Sequence, residues 1–379
     1  MNPLNTPPRF VERAPREQSK NAHLYWLDVI RFLAAFAVLT CHFRGAFFVD
    51  YGLLPESQQN LLTFAFFSIT RLGHEAVMIF FVLSGFLVGG KALERIRNNE
   101  FSTINYTIDR MVRIQLPLFS ALLFAFIINL IIGTDLRIPQ LIGNFFSLQG
   151  IFCRPYIEPL WSLSYEVWFY ILMGAIGFCF TYKGQKKCFM GIITLLLCFF
   201  VFNSLNPNYL FVWLIGAFGY IGRRQLPKCV SVLSLIILII LIILMQCTSN
   251  SRSLPGFSLA NYFSRPLIEL LFGSSLCFFI IGIVEYVPKH IIGIMINKYG
   301  SKLAAFSYTL YLTHVPILRL LEYLGAPKCQ SISALSIGLF ICWLLLAMVL
   351  SYCIYLLFEK KTPIVKMWIK TIVNKQFKL

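Results

Sequence analysis

The chain has 379 residues, of which 58% are hydrophobic and only 13% are charged, and its mean hydropathy is +0.73. A soluble domain carries about 25% charged residues, so a single soluble core has no place for this much Leu, Ile and Phe. The formal net charge of +17 is typical of proteins that bind nucleic acid. Here, however, the basic residues stand in short loops between apolar runs, which is the pattern of membrane-topology signals. The composition argues against a nucleic-acid role and indicates a polytopic membrane protein.

Long apolar runs follow one another along the chain without the period-two alternation of barrel strands, which predicts an all-α membrane protein. Residues 1–24 have scattered charges, four prolines and no apolar core of a signal peptide, so they are expected to form a disordered cytosolic tail. Residues 359–379 are predicted to be a basic cytosolic tail. A spanning helix needs about 20 apolar residues, and ten such spans are predicted near residues 26–48, 72–90, 114–132, 160–180, 188–203, 208–222, 229–247, 266–286, 303–322 and 333–357.

The distribution of basic residues predicts the orientation of these ten spans. If the N-terminus is cytosolic, 24 of the 33 Lys and Arg residues fall in the two tails and in the loops on the cytosolic side. Cytosolic loops carry an excess of Lys and Arg. The sequence therefore predicts ten spans with both termini in the cytosol.

The first span, YWLDVIRFLAAFAVLTCHF, contains three ionisable residues: Asp28, Arg31 and His42. An ionisable residue inside a membrane helix is expensive to bury and usually marks a functional site. Arg31 and His42 are 11 residues apart, which places them on nearly the same helix face and about 16 Å apart along the axis. Asp28 and Arg31 have the alternative of snorkelling to the interface, and His42 has the alternative of a satisfied residue in helix packing. For His42 the functional interpretation is favoured.

The second span ends in MIFFVLSGFLVGG, where Ser84, Gly85 and Gly89 form a small-residue face that allows another helix to approach closely. The next segment, IDRMVRIQLP, places Arg110 and Arg113 three residues apart on one side of a helix that enters the membrane. Two guanidinium groups in this position can bind phosphates bidentately. Membrane anchoring by positive charge is the alternative, and the sequence leaves it open.

The fourth span begins PLWSLSYEVWFY, and Ser162 and Glu166 share one face of it beside Trp161. A carboxylate at this depth needs a partner, which Arg31, Arg44 or a histidine can supply. The aromatic residues have the alternative of a plain interfacial belt.

The ninth span, SYTLYLTHVPIL, places Ser307, Tyr311 and His314 on one polar face. A second histidine at mid-depth favours a central polar cavity.

Eleven cysteines contain no CxxC pair and no Cys/His metal-ligand spacing, so no metal is expected. Cys153, Cys247 and Cys329 are predicted to face the outer side, where a disulfide between two of them stays open as an alternative.

The segments LDVIRFLAAFAVLTCHF, FFVLSGFLV, RMVRIQLP, WSLSYEVWFYI and SYTLYLTHVPIL together resemble the acyltransferase-3 family, in the family's order and over about residues 24–358. The resemblance implies ten core helices and an acyl-CoA donor, usually acetyl-CoA, that enters from the cytosol. The family's essential first-helix histidine and arginine fall on His42 and Arg31. Its paired basic residues before the third helix fall on Arg110 and Arg113, and its fourth-helix glutamate falls on Glu166.

The sequence departs from the family pattern in two places. The family often has an acidic residue and a proline close together after the last span, whereas here Glu359 is followed by KKTP. The segment GHEA, with His74 and Glu75, replaces the more usual Gly-Val-Asp pattern, which leaves open a role for either residue at the acceptor side.

The resemblance therefore predicts an O-acetyltransferase of the bacterial inner membrane, which acts on a hydroxyl of a surface or lipid-linked glycan with His42 as general base. A covalent acyl-histidine intermediate stays open. Buried charges and a central cavity suit a transporter or flippase of lipid-linked sugars equally well, and a non-catalytic scaffold is a third alternative. The predicted site residues are His42, Arg31 and Glu166 for catalysis, Arg110, Arg113, Asp28 and Ser84 for the donor, and Trp161, Ser162, Tyr311, His314 and Glu75 for the acceptor.

Overall fold

A computed structural model describes residues 25–182, 184–223, 226–248, 262–284, 286, 288 and 290–377. The regular elements in these residues are helices, and β-structure there is limited to the isolated bridges Phe48 to Cys329 and Gln149 to Cys153. The prediction of an all-α protein is confirmed. The expected N-terminal tail lies outside the described residues.

Fifteen α-helices follow one another along the described chain, with a π-helical turn at Gly85–Gly90 between the third and fourth. They are α1 (Tyr25–Phe47), α2 (Leu61–Ile69), α3 (Gly73–Ser84), α4 (Lys91–Arg97), α5 (Thr103–Ile132), α6 (Ile138–Phe145), α7 (Leu160–Thr181), α8 (Gln185–Ser204), α9 (Asn208–Ile221), α10 (Lys228–Cys247), α11 (Arg265–Val284), α12 (Ile291–Ala304), α13 (Ser307–Tyr323), α14 (Ala334–Leu357) and α15 (Thr362–Phe377).

Each of the ten predicted spans coincides with a helix, and α2, α4, α6, α12 and α15 are additional. Seven helical stretches of the described chain are long and apolar enough to cross a bilayer, and α9 and Phe189–Ser204 of α8 are shorter apolar helices. The seventh stretch runs from α14 through α15. The structure thus supports a multi-pass membrane protein, while the count of ten and the orientation of the termini stay predictions. By that predicted orientation, the end of the bundle where α1 stops and α3 starts is called the outer end, and the opposite end the inner end.

Local sequence signals set the ends of the long helices. Ser102 caps α5, since its Oγ accepts from the backbone N–H of Asn105 at 3.4 Å, and Gly133 ends that helix with a φ of +76° that suits glycine. Ser333 and Ser336 form a reciprocal capping box at the start of α14. These caps satisfy backbone donors that would otherwise be exposed at the membrane boundary.

The bundle is organised around α1, which packs against α3, α12, α13 and α14. Helix α13 also packs against α5 and α14, and α11 packs between α9 and α10. Consequently α1, α3, α5, α7 and α13 surround one central volume, and it is these helices that carry most of the ionisable residues singled out above.

The small-residue face of the second span does allow a close helix approach, as predicted. A Cβ on Gly85 would lie 1.9 Å from the carbonyl oxygen of Trp213 in α9, and one on Gly216 would lie 2.2 Å from the carbonyl oxygen of Val82. The two backbones are therefore in direct contact, an arrangement that only glycine at both positions permits. This contact fixes α9 against the π-helical turn.

The amphipathic helix α15 lies against α5 at the inner end. Lys366 and Lys370 place their Nζ atoms 2.8 and 3.3 Å from Oδ1 of Asp109 on α5. Its opposite face exposes Ile364, Met367 and Trp368, which is typical of a helix that lies in a membrane interface.

The topology is tested by reporter fusions at Asn99, at Asn206 and at the C-terminus. We expect them to report the cytosol, the outer side and the cytosol, because 24 of the 33 basic residues then lie in the cytosol or at its boundary. A C-terminus on the outer side would contradict the count of ten spans.

The close approach of α3 and α9 predicts that Gly85→Ala destabilises the protein, because the added methyl group overlaps a backbone carbonyl that cannot move aside. Overpacking of this kind costs at least about 1–3 kcal/mol. Gly338→Ala is the matched control, because a Cβ there meets nothing within 4 Å and Ala favours a helix. The measurement is the melting temperature of purified protein, and equal stability of the two variants would contradict the prediction.

Candidate active site

A cavity of about 560 Å³ occupies the centre of the bundle, a volume within the usual range of ligand sites, about 300–1,000 Å³. Residues of the helical stretch from Val77 to Lys91 line the cavity along its length. At about 1.5 Å per residue, these 14 steps give the cavity a length of roughly 20 Å. It therefore runs from the inner end to the middle of the bundle.

The inner end of the cavity is strongly basic. Lys91 and Arg95 of α4 and Arg110 and Arg113 of α5 all line it. The carboxylate of Asp109 also lines it and is paired with Lys366 and Lys370 of α15. The guanidinium carbon of Arg110 lies 5.8 Å from the ring centroid of Tyr170, a cation–π distance. Four cations around one opening favour a polyanionic ligand such as the phosphates of a nucleotide.

Arg31 lies on the wall of the cavity and is oriented by Asp28. Its Nη1 donates to Oδ1 of Asp28 at 3.0 Å, one turn away on α1. Arg31 also interacts electrostatically with Arg113 and Glu166. The rise of the helix places the backbone positions of Arg31 and His42 about 16 Å apart along the axis of α1.

Glu359 is a residue of this site whose importance the sequence analysis missed. Its Oε2 accepts from the backbone N–H of Thr309 at 3.2 Å and from the Thr309 hydroxyl at 2.5 Å, and it interacts electrostatically with Arg113 and Arg31. The charge therefore balances two arginines of the cavity. The sequence does contain a signal for this role, an acidic residue immediately after the last apolar run. The residues that follow it, KKTP, depart from the family pattern and obscure that signal.

A directed chain of hydrogen bonds leads to Glu166 on the cavity wall. The indole of Trp213 can only donate, and it donates to Ser84 Oγ at 3.2 Å; the Ser84 and Tyr170 hydroxyls are 3.1 Å apart, and the Tyr170 hydroxyl donates to Glu166. Each hydroxyl therefore donates its hydrogen bond in the direction of the carboxylate. The hydrogen-bond donor to Glu166 is thus Tyr170, and Arg31, which the sequence suggested as one possible partner, interacts with Glu166 electrostatically.

Ser162 and Tyr311 close the far end of the cavity. Their hydroxyl oxygens are 2.6 Å apart, and the Tyr311 oxygen is also 3.0 Å from the carbonyl oxygen of Pro159, to which its O–H donates. Both residues line the cavity and both are buried. The pair joins α13 to the start of α7 and forms the floor of the cavity.

His42 and His314 lie beyond this floor, next to each other. Their ring centroids are 5.1 Å apart, and the ring of His314 is 6.0 Å from that of Tyr311. His314 is completely buried, whereas His42 is partly exposed and interacts electrostatically with Glu158, an exposed residue in the connection before α7. His42 therefore faces the outer side, with Tyr311 and His314 between it and the cavity.

A second polar cluster lies at the outer ends of α3, α9, α10 and α11. Glu269 accepts from Asn208 Nδ2 at 2.6 Å and is 2.8 Å from Nε2 of His74. Glu75 accepts from Gln246 Nε2 at 2.7 Å through Oε1, while its buried Oε2 has no hydrogen-bond partner among the described residues. Glu75 is thus far from the basic end of the cavity, on the predicted acceptor side.

An aromatic cluster connects this outer polar cluster with the cavity. The ring of Tyr209 is 6.3 Å from His74 and 5.7 Å from Trp161, and the ring of Trp161 is 6.4 Å from that of Phe81, which lines the cavity. Trp161 therefore lies between the outer polar cluster and the cavity.

The structure brings most of the sequence-predicted site residues into one place. Eight of the twelve line the cavity, His42 and His314 lie just beyond its floor, and Trp161 and Glu75 lie toward the outer end. Cys153, Cys247 and Cys329 are free thiols, without a disulfide. Among the described residues, no group of three His, Cys, Asp or Glu side chains could hold a metal ion. The eight cavity residues are Asp28, Arg31, Ser84, Arg110, Arg113, Ser162, Glu166 and Tyr311.

The model of the acyltransferase domain family Acyl_transf_3 matches residues 24–358, which is nearly the whole chain. The chain belongs to the acyltransferase-3 family. No curated protein and no solved structure matches it. Membership supports a membrane acyl-transfer function in general, and the resemblance stated from five short segments is confirmed.

If the basic end of the cavity holds the acyl-CoA donor that the family resemblance implies, Arg110→Ala and Arg113→Ala should each weaken the binding of CoA. A hydrogen bond to a charged group is worth about 1.5–3 kcal/mol, so each loss should raise Kd about 10- to 100-fold. Lys at either position should rescue only in part, because a point charge lacks the bidentate fork of the guanidinium.

Binding is measured by calorimetry on purified protein in lipid. Arg97→Ala is the control for net charge, since Arg97 is exposed at the end of α4 and does not line the cavity. If the double Ala variant binds CoA as the wild type does, the two arginines serve membrane topology only.

Proposed function

We propose that the protein transfers an acetyl group from cytosolic acetyl-CoA to a hydroxyl of a surface or lipid-linked glycan on the outer side of the bacterial inner membrane. The observation that carries this proposal is the arrangement of the cavity: a basic inner end, a polar wall and a floor that lies next to a pair of histidines. Family membership supports acyl transfer, and the geometry supports the choice of residues.

The donor lies along the cavity in this proposal. Its phosphates bind Arg110 and Arg113. The pantetheine arm then passes two pairs of side chains on the cavity wall, Arg31 with Asp28 and Ser84 with Tyr170. The thioester reaches the floor at Ser162 and Tyr311. A cavity about 20 Å long suits an extended arm of this kind, and its four cations match the charge of the donor.

His42 acts as general base on the acceptor hydroxyl, which approaches from the outer side. As His42 takes the hydroxyl proton, the acceptor oxygen attacks the thioester carbonyl carbon; the carbon–sulfur bond then breaks, and the CoA thiolate leaves with the proton that His42 returns. Imidazole suits both transfers because its pKa ordinarily lies near neutrality.

The hydroxyls of Ser162 and Tyr311 are the donors we assign to the developing oxyanion. Arg31 lies toward the inner end, about 16 Å from His42 along the axis of α1, so we assign it to the donor and not to the oxyanion. Glu166 holds the Tyr170 hydroxyl and balances the charge of Arg31. Trp161 and Glu75 lie on the path from the outer end, where an aromatic face and a carboxylate suit a sugar.

The competing proposal of a transporter or flippase uses the same cavity but requires no base. Acetylation of the glycan separates the two proposals, because a transporter moves an unchanged sugar. A non-catalytic scaffold is separated by the same measurement, since it predicts that His42 is dispensable.

The function is tested by mass spectrometry of surface glycans from cells that carry the wild type or His42→Gln. We expect added acetyl groups only with the wild type, because Gln keeps a hydrogen bond but takes up no proton at neutral pH. For purified protein in lipid, the loss should be at least about 100-fold, or roughly 2.7 kcal/mol in barrier height. Wild-type activity should also fall on acidification as the imidazole becomes protonated.

His290→Gln is the matched control, because His290 is exposed at the start of α12 and does not line the cavity. The amount and monodispersity of each variant are checked before the rates are compared. A well-folded His42→Gln protein that keeps more than about a tenth of the activity would contradict the general-base assignment.

A further inference from the structure

His314 occupies a setting that fixes which of its nitrogens carries the proton. Its Nδ1 lies 3.1 Å from the backbone carbonyl oxygen of Leu310. A carbonyl oxygen can only accept a hydrogen bond, so Nδ1 is the protonated nitrogen of the neutral ring. Nε2 therefore presents a lone pair, and this nitrogen can act only as an acceptor.

This Nε2 is a buried acceptor without a donor. His314 is 0% exposed, and within the described chain Nε2 has no hydrogen-bond partner. Buried polar atoms are almost always paired in folded proteins, and a completely buried imidazole acceptor on an apolar helix is costly to leave unpaired. An exception next to a candidate catalytic residue points to a contact that forms during the reaction.

The group best placed to donate the missing hydrogen bond is His42. The two rings are 5.1 Å apart between centroids and inclined by 57°, which is close enough for the N–H of the partly exposed His42 ring to reach the lone pair of His314 after a change in ring orientation. Tyr311 is the other titratable neighbour, but its hydroxyl already donates to Pro159 and contacts Ser162. Glu158, the charged group that acts on His42, is exposed and comes from the connection before α7.

We propose that His314 is the positioning residue of His42: its Nε2 accepts a hydrogen bond from the N–H on the nearer nitrogen of His42, which leaves the other, unprotonated nitrogen of His42 free to take the proton of the acceptor hydroxyl. The inference rests on the proposed role of His42 as general base. Once His42 has taken up the acceptor proton, the same contact stabilises the imidazolium ion. In serine hydrolases an aspartate performs these two tasks for the catalytic histidine; here a neutral imidazole performs them, at a smaller desolvation cost than a buried carboxylate.

Two simpler roles for His314 make different predictions. If it only fills space on α13, a ring of similar size replaces it without any change in the ionisation of His42. If His314 is itself the base, every substitution that removes its titration abolishes transfer, as for His42. A positioning residue lies between these cases, because a substitute that still accepts a hydrogen bond restores part of the rate.

The kinetic experiment compares His314→Phe and His314→Gln with the wild type in lipid, and uses Thr313→Val as the control. Thr313 is equally buried, and its hydroxyl contacts Ser351 on α14 at 2.8 Å, away from the cavity. We expect His314→Phe to lower kcat about 10- to 100-fold, the range seen when a group that orients a metal-bound histidine is removed, with an unchanged KM for acetyl-CoA. His314→Gln, whose amide oxygen can accept from His42, should recover at least about threefold of that loss, and Thr313→Val should match the wild type.

The pH profile of kcat distinguishes positioning from packing. In His314→Phe the imidazolium form of His42 loses its acceptor, so the midpoint of the acid limb should move to lower pH by about one unit. An unmoved midpoint together with a lowered kcat would overturn the proposal in favour of packing. Equal and complete loss in the Phe and Gln variants would overturn it in favour of His314 as the base.

A spectroscopic measurement keeps this proposal separate from the proposed function. Nitrogen-15 NMR of histidine-labelled protein in bilayer discs reports the tautomer of each ring without any acyl transfer. We expect His314 to carry its proton on Nδ1, and His42 to favour one tautomer in the wild type and a mixture in His314→Phe. If no acceptor is acetylated, the proposed function fails whatever the spectra show. If transfer occurs but the His42 tautomers are the same in both proteins, the positioning role fails.

Discussion

The cost of a polar group that has no partner inside a membrane governs this structure more than any single packing contact. A bilayer offers no water to satisfy a buried donor or acceptor, so the polar residues of the spans are held in short networks. Asp28 pairs with Arg31, Glu269 is bound by His74 and Asn208, and Glu359 is bound by Thr309. The last two networks join different elements, because Glu269 connects α11 to α3 and α9, and Glu359 connects the segment after α14 to α13.

Backbone packing then decides how closely those networks approach each other. The contact of Gly85 with the Trp213 carbonyl brings α9 within reach of α3, and the Trp213 indole can therefore donate to Ser84. A larger residue at Gly85 would push the indole outward and leave Ser84 without its donor. The chain of hydrogen bonds that ends at Glu166 thus depends on a residue that has no side chain of its own.

The sequence was informative where a single helix carries the signal. Arg31 and His42 share a face of α1, Ser162 and Glu166 share a face of α7, and the helical period alone places each pair. The same argument found the small-residue face at Gly85. Five additional helices, such as the interfacial α15, were not predicted, because short amphipathic segments next to long apolar runs give no separate hydropathy peak.

What the sequence could not give is the relation between helices. The Ser162–Tyr311 contact joins residues 149 positions apart, and the spacing of His42 and His314 depends on how α1 packs against α13. Glu359 illustrates the same limit, since its partner Thr309 lies on another helix and only the packing of the last span against α13 reveals it. The periodicity of a single sequence predicts which residues share a face of one helix. Which helix faces contact each other is known only from the three-dimensional packing.

The position of the floor has a consequence for how an acyl group can cross the protein. In the proposed mechanism, donor and base lie on opposite sides of Ser162 and Tyr311: the cavity reaches these two hydroxyls from the inner end, and His42 faces the outer side beyond them. A thioester that stops at the floor meets the acceptor only if the 2.6 Å contact between the two hydroxyls opens or if their oxygens receive the carbonyl directly. In the second case the same pair both seals the cavity against water and stabilises the oxyanion, so the seal is broken only by the group that is to be transferred. In that proposal the arrangement limits hydrolysis of the donor, because in the absence of the thioester the two hydroxyls are satisfied by each other and by the Pro159 carbonyl, which leaves no free polar site for water at the floor.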